Sequence, residues 1–92
     1  MRLDYFLKVS RIVKRRSLAK EMCDKKLVRV NDQIAKAGKE IEKGDSICVT
    51  FREQTLKVEV EEVPERGVSK KEASTLYSVV EDIRKTEDEL LW

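Results

Sequence analysis

Ninety-two residues with one Pro, three Gly and apolar positions spaced periodically make a single small folded domain, not a disordered chain. The chain is 41% charged yet carries a net charge of only +2, so most charges stay in water around a modest core. Two cysteines without close spacing and no histidine argue against a zinc site or other metal. No apolar run nears the ~20 residues that span a bilayer, and the opening Met1 to Lys8 lacks the long apolar stretch and small-residue cleavage site of a signal peptide; a cytoplasmic monomer with no membrane contact is expected.

The first predicted element is a short helix over residues 3–9, where Leu3, Phe6 and Leu7 form an apolar stripe. Asp4 falls in its first turn, the favoured end of the helix dipole for a carboxylate. It reads as a helix-start residue or as the partner that orients Arg16 or Lys8. Phe6 reads as core, and Tyr5 lies on another face. A second helix is predicted from about Arg15 to Lys25, with Leu18, Ala19, Met22 and Cys23 on one face. Cys23 therefore reads as a small core residue.

The apolar period then changes from 3.6 to 2. Val28 and Val30 flank Arg29 in a strand, Asn31-Asp32 makes a turn, and Gln33 to Ala37 returns. After a turn at Lys43-Gly44-Asp45, Ile47, Val49 and Phe51 alternate with polar residues, leaving Cys48 partly exposed. A reversal at Glu53-Gln54 leads into Leu56, Val58 and Val60, the second half of an antiparallel pair. Pro64 to Gly67 is expected to end the sheet. Ser69 with Glu72 three residues on is a capping box, and Ala73, Leu76, Tyr77, Val80 and Ile83 fit an amphipathic helix. The stretch from Tyr77 to Val80 also suits an extended segment, and the pattern leaves both open.

Charge is unevenly distributed along this plan. Residues 1–45 carry 13 Lys/Arg against 7 Asp/Glu, whereas residues 46–92 carry 7 against 11. Between Tyr5 and Lys20 there is no acid at all. Arg11, Lys14 and Arg15 have the spacing of one row if helical, as do Arg16 and Lys20. Arg2, Lys8, Arg11, Lys14, Arg15, Arg16 and Lys20 are the candidate phosphate-binding residues, Arg as a planar fork and Lys as a point charge. Lys36, Lys39 and Lys43 either extend that surface or keep the sheet edge soluble. With few aromatics, structured RNA read by shape and phosphate fits better than a single strand. No nucleophile–base pair, phosphate loop or paired carboxylate cluster appears, so neither enzyme activity nor a cofactor is expected.

Four segments occur in order: Arg2-Leu3-Asp4 with Leu7, then Lys14 to Ala19, Val28 to Asn31, and Lys43 to Ile47. Together they resemble the S-four RNA-binding domain, or αL motif. The opening from Met1 to Arg16, with Ala73 and Leu76-Tyr77, is similar to a stand-alone branch of that family. This branch holds the heat-shock-type S-four proteins and the P-site factors of bacterial ribosome-associated quality control. The resemblance implies an α+β fold, two N-terminal helices on a small antiparallel sheet, over residues 1–63. Residues 64–92 would be a C-terminal extension packed on the domain or trailing it.

The resemblance also implies large-subunit rRNA and P-site peptidyl-tRNA as partners, on stalled subunits where an RqcH-type tailing factor adds alanine. It implies that Arg16 is the most characteristic RNA-binding Arg. The heat-shock-type relatives imply the alternative of recycling large subunits that hold nascent chains. A catalytic RNA-modifying role, or docking through Leu90-Leu91-Trp92, are the readings from other classes. Two residues depart from the family pattern: Lys26 and Asp32 stand where it usually has Gly.

Overall fold

The computed structural model describes residues 1–65 and 67–84. Helix α1 spans Leu3–Val9 and helix α2 spans Arg16–Asp24. Strands β1 (Val28–Val30), β2 (Gln33–Ile34), β3 (Ser46–Thr50), β4 (Gln54–Val60) and β5 (Tyr77–Arg84) follow, with a one-turn helix α3 at Lys70–Ala73 before the last strand. All five strands are antiparallel neighbours in the order β2-β1-β3-β4-β5. The fold is the expected α+β arrangement, two N-terminal helices against an antiparallel sheet.

The period-2 pattern explains the core. Val28, Val30, Ile47, Val49, Val58 and Val60 are buried, while Arg29 and Glu59 between them are exposed. Leu3, Phe6 and Leu7 of α1 and Ala19, Met22 and Cys23 of α2 close over that cluster. Leu18 does not join them. It is 43% exposed, because the face of α2 that meets α1 is narrower than the apolar stripe suggests.

Each N-terminal helix ends on a left-handed residue. Arg11, with φ 62°, turns the chain out of α1, and its N–H donates to the Lys8 carbonyl at 3.0 Å. At the end of α2, Lys26 has φ 63°. Its N–H donates to Cys23 O at 2.9 Å, and Leu27 N–H donates to Met22 O at 3.0 Å. This is the paired closure of a Schellman motif, whose left-handed position is usually Gly. Lys26 occupies it at the steric cost of a Cβ, and so the usual geometry survives the departure in sequence.

The β1–β2 turn shows the same economy. Asn31 (φ 51°) and Asp32 (φ 68°) both take the positive φ that a two-residue type I′ hairpin requires. Asn31 also locks this hairpin to the turn before β3. Its amide donates to Asp45 Oδ1 at 3.2 Å, and its Oδ1 accepts from Ser46 N–H at 3.0 Å. The returning strand is shorter than predicted: β2 stops at Ile34, after which Ala35 and Ala37 turn inward and are buried.

The sheet does not end at residues 64–67. Ser69 caps α3 as predicted, its Oγ accepting from Glu72 N–H at 3.3 Å. The helix then stops after one turn instead of running to Ile83. Ser74 and Thr75 hydroxyls donate back to the carbonyls of Lys71 and Glu72 at 3.2 and 2.7 Å, competing with further helix. Beyond it Tyr77, Val79, Val80 and Ile83 favour extended backbone, and the unpaired side of β4 is available. The open choice between helix and strand thus resolves to strand β5, which pairs along all of β4 with a bulge at Lys57/Val58. The predicted docking end, Leu90-Leu91-Trp92, lies outside the described residues.

Two outcomes follow from this packing. Lys26→Gly removes the left-handed strain and should raise stability by about 0.5–1 kcal/mol in urea unfolding; an unchanged or lower midpoint contradicts the Schellman assignment. Burial, then the charges of Asp4 and Asp24, push the Cys23 thiol up from 9.0 to about 11. The unfolded chain ionises this thiol first, so its contribution to stability is complete below about pH 9 and fades towards pH 11. Thermal unfolding should show this alkaline loss, and Cys23→Val should lessen it.

Candidate nucleic-acid interface

Helix α1 lacks a side-chain cap at its start. Its first amides are held instead by a distant loop: Leu3 N–H donates to Lys39 O at 2.8 Å, and Asp4 N–H to Ala37 O at 3.1 Å. This docking sets the depth of Asp4, whose side chain is only 4% exposed. One Asp4 oxygen lies 3.4 Å from Arg2 Nε and the other 3.4 Å from Arg16 Nε. Oδ1 also accepts from Tyr5 N–H at 2.8 Å. The Arg16 guanidinium carbon stands 5.0 Å from the centre of the Tyr5 ring, a cation–π distance.

A buried carboxylate thus holds two arginines from different elements, one before α1 and one opening α2. Each arginine remains about half exposed, at 50% and 49%. Each meets Asp4 through Nε, and no other described carboxylate lies in ion-pair range of either. Asp4, Arg2, Arg16, Ser17 and Lys20 line one open depression of about 350 Å³. Three cations against one acid make it positive, and its donors are suited to phosphate oxygens.

The other sequence-predicted residues stand around this centre. Lys8, Arg11 and Lys14 line a second depression of about 260 Å³, and Lys14 and Arg15 border a third with Ser17 and Glu21. All seven candidate cations are exposed, and Lys8, Arg11, Lys14, Arg15 and Lys20 have no ion-pair partner among the described residues. The expected helical row of Arg11, Lys14 and Arg15 is absent. Residues 10–15 form the bend between the helices, with Arg11 left-handed and Arg15 extended at the cap of α2. Arg16 and Lys20 do share a helix face.

The sequence leaves Asp4 as a helix-start residue or as the partner of either Arg16 or Lys8, and the structure pairs it with Arg16. Lys8 makes no such contact, and Arg2 does. Tyr5 beneath Arg16 was not assigned either, because a contact between helices leaves no trace in the periodicity of one. Cys48 is partly exposed, as its alternation predicts. Among the described residues no cluster of three or more potential metal ligands exists, and no helix is long and apolar enough to cross a membrane.

The model of the S4 domain matches residues 1–47, which contain both helices, the Asp4 cluster and the β1–β2 hairpin. The chain belongs to the S4 domain family. Within that S4 family it stands with the RQC P-site tRNA stabilizing factors. It is 51% identical over 79 residues to the factor of that name from Halalkalibacterium halodurans, covering 86% of this chain and 89% of the relative. It is 40% identical over 82 residues to that of Bacillus subtilis, covering 89% and 94%. The S4 fold also superposes on trimeric heat shock protein 15 of Vibrio cholerae with a TM-score of 0.78 and 28% identity, covering 99% of this chain and 86% of that one.

The Asp4 clamp makes a measurable demand on the fold. Asp4→Ala leaves two guanidiniums without their anchor and should cost about 1–2 kcal/mol in chemical unfolding, reduced from the buried-pair range because both arginines are half in water. Asp4→Asn should cost less, since it can still accept the Tyr5 N–H. Equal, negligible losses for both would show that the clamp does not contribute to stability.

Proposed function

We propose that this chain is an RqcP-type, non-catalytic RNA-binding factor of the large ribosomal subunit. It binds rRNA and P-site peptidyl-tRNA on stalled, nascent-chain-obstructed large subunits and supports C-terminal alanine tailing by an RqcH-type factor. The carrying observation is the 51% identity to an RQC P-site tRNA stabilizing factor across nearly the full length of both chains. The chemistry agrees with it. Arg2, Lys8, Arg11, Lys14, Arg15, Arg16 and Lys20 form the RNA-binding surface of the 1–63 unit, with Arg16 at its centre.

Its mechanism is positional. RNA backbone presents phosphates at regular spacing, and cations on a rigid helix pair meet several at once, releasing counterions. Asp4 and Tyr5 hold Arg16 before RNA arrives, so less conformational entropy is lost on binding. A rigid cationic wedge between tRNA and rRNA holds the tRNA in register between additions. The heat-shock-type reading, recycling of large subunits with nascent chains, is favoured by the close superposition on heat shock protein 15. Alanine tails measured in cells with and without the gene separate the two: their loss on deletion supports the first reading, and their persistence supports the second.

Arg16→Ala should weaken binding to purified large ribosomal subunits by about 10- to 100-fold, the cost of one charge-assisted phosphate contact and its geometry. Arg16→Lys should recover only part of this, because a lysine cannot bond Asp4 and phosphate in one plane. Removing Lys8 or Lys14 should lower the slope of log affinity against log salt by about 1 each. Unchanged binding of Arg15→Ala/Arg16→Ala would overturn the assigned surface.

A further inference from the structure

A groove of about 530 Å³ runs along the outer edge of β2, between the β1–β2 hairpin and the loop of residues 35–39. Its size falls in the ~300–1,000 Å³ range of small-ligand sites. Ile34 is its accessible apolar wall, 53% exposed although it belongs to a strand, while Val30 and Ala35 border it from the core and are nearly buried. Gln33, Lys36 and Lys39 supply the polar lining. Neither lysine has an ion-pair partner among the described residues. The Asn31 amide is already committed to Asp45 and Ser46, which leaves Gln33 as the side-chain amide available to a ligand.

The groove is joined to the arginine cluster by one strip of backbone. Gly38 lines the groove, and a Cβ placed on it would stand 3.6 Å from Arg2 Nη2. The flanking carbonyls of Ala37 and Lys39 hold the first amides of α1. The same loop therefore forms a wall of the groove and seats the helix that carries Asp4. A molecule gripped by Arg2 is within reach of the groove, and the groove's cations select a polyanion.

We propose that this groove takes one unpaired nucleotide of the RNA held at the Arg2–Arg16 cluster. The base lies on Ile34, Gln33 meets its polar edge, and Lys36 and Lys39 meet the flanking phosphates. An amide offers both a donor and an acceptor, and an aliphatic side chain packs against the face of any base without reading its edge, so the site selects an unstacked nucleotide more than a sequence. This inference rests on the RNA-binding reading above and adds to it a contact with a base, where the arginine cluster contacts only phosphate.

Chemical probing of purified large ribosomal subunits tests it, with wild-type protein, Ile34→Ser, Lys36→Gln/Lys39→Gln and Arg16→Ala. Ile34 is exposed, so Ile34→Ser should keep its circular dichroism spectrum. The wild type should protect at least one unpaired base from base-selective reagents. Ile34→Ser should restore that base's reactivity while the remaining footprint persists, with affinity lower by about 5-fold. The lysine pair should weaken the same protection. A footprint unchanged by Ile34→Ser, as when a peptide strand occupies the edge of β2, overturns the nucleotide site and leaves the RNA-binding reading intact. No rRNA footprint from the wild type at all overturns both.

Discussion

Asp4 sits where three parts of the chain meet: the segment before α1, the start of α2 and the loop of residues 37–39. The loop carbonyls fix the first turn of α1 and with it the depth of a carboxylate that water barely reaches. A charge so placed must be answered locally, and Arg2 and Arg16 answer it. Their Nε atoms are drawn inward and about half of each side chain stays in solvent. The cationic surface is therefore organised from beneath by an anion. Without that anion, the same arginines would be long flexible side chains with many rotamers to lose on binding.

The rest of the fold serves this junction. The sheet supplies the platform, with five inward valines and one isoleucine closing against Leu3, Phe6 and Leu7. Asn31 and Asp45 tie the β1–β2 hairpin to the next turn, so the 35–39 loop is anchored before it reaches α1. Left-handed residues at Arg11 and Lys26 turn the chain sharply after each helix and keep α1 and α2 short. Strand β5 covers β4 and uses up its edge. Acidic side chains gather in the second half of the chain, away from the arginine cluster in sequence, which keeps the opening positive while the whole protein stays near neutral.

Much of this was legible in the sequence, for physical reasons that can be named. Both N-terminal helices and the β3–β4 pair announce themselves by periods of 3.6 and 2, since burial of one face dictates spacing. The turn at Asn31-Asp32 follows from two residues tolerant of positive φ. The basic surface follows from the lack of acids between Tyr5 and Lys20. What escaped depends on tertiary contact. Residues 10–15 have helical charge spacing, but the bend between the helices overrides it. Residues 77–84 carry an apolar pattern fit for helix or strand, and the vacant side of β4 decides. Arg2 as the second partner of Asp4 comes from the docking of a loop more than thirty residues away, which no local pattern encodes.

We propose that Asp4 organises Arg2 and Arg16 for RNA binding and does not merely dilute their charge. The two ideas predict opposite signs. If only net charge mattered, Asp4→Asn would make the surface more positive and tighten its grip on RNA. If Asp4 positions Arg2 and Arg16, the same change weakens binding, and does so only while Arg16 is present. The direct measurement is a double-mutant cycle of Asp4→Asn and Arg16→Ala, read as affinity for purified large ribosomal subunits at fixed salt. The account predicts weaker binding for Asp4→Asn in the wild-type background and little further effect in Arg16→Ala. Tighter binding for Asp4→Asn, or equal losses in both backgrounds, would contradict it.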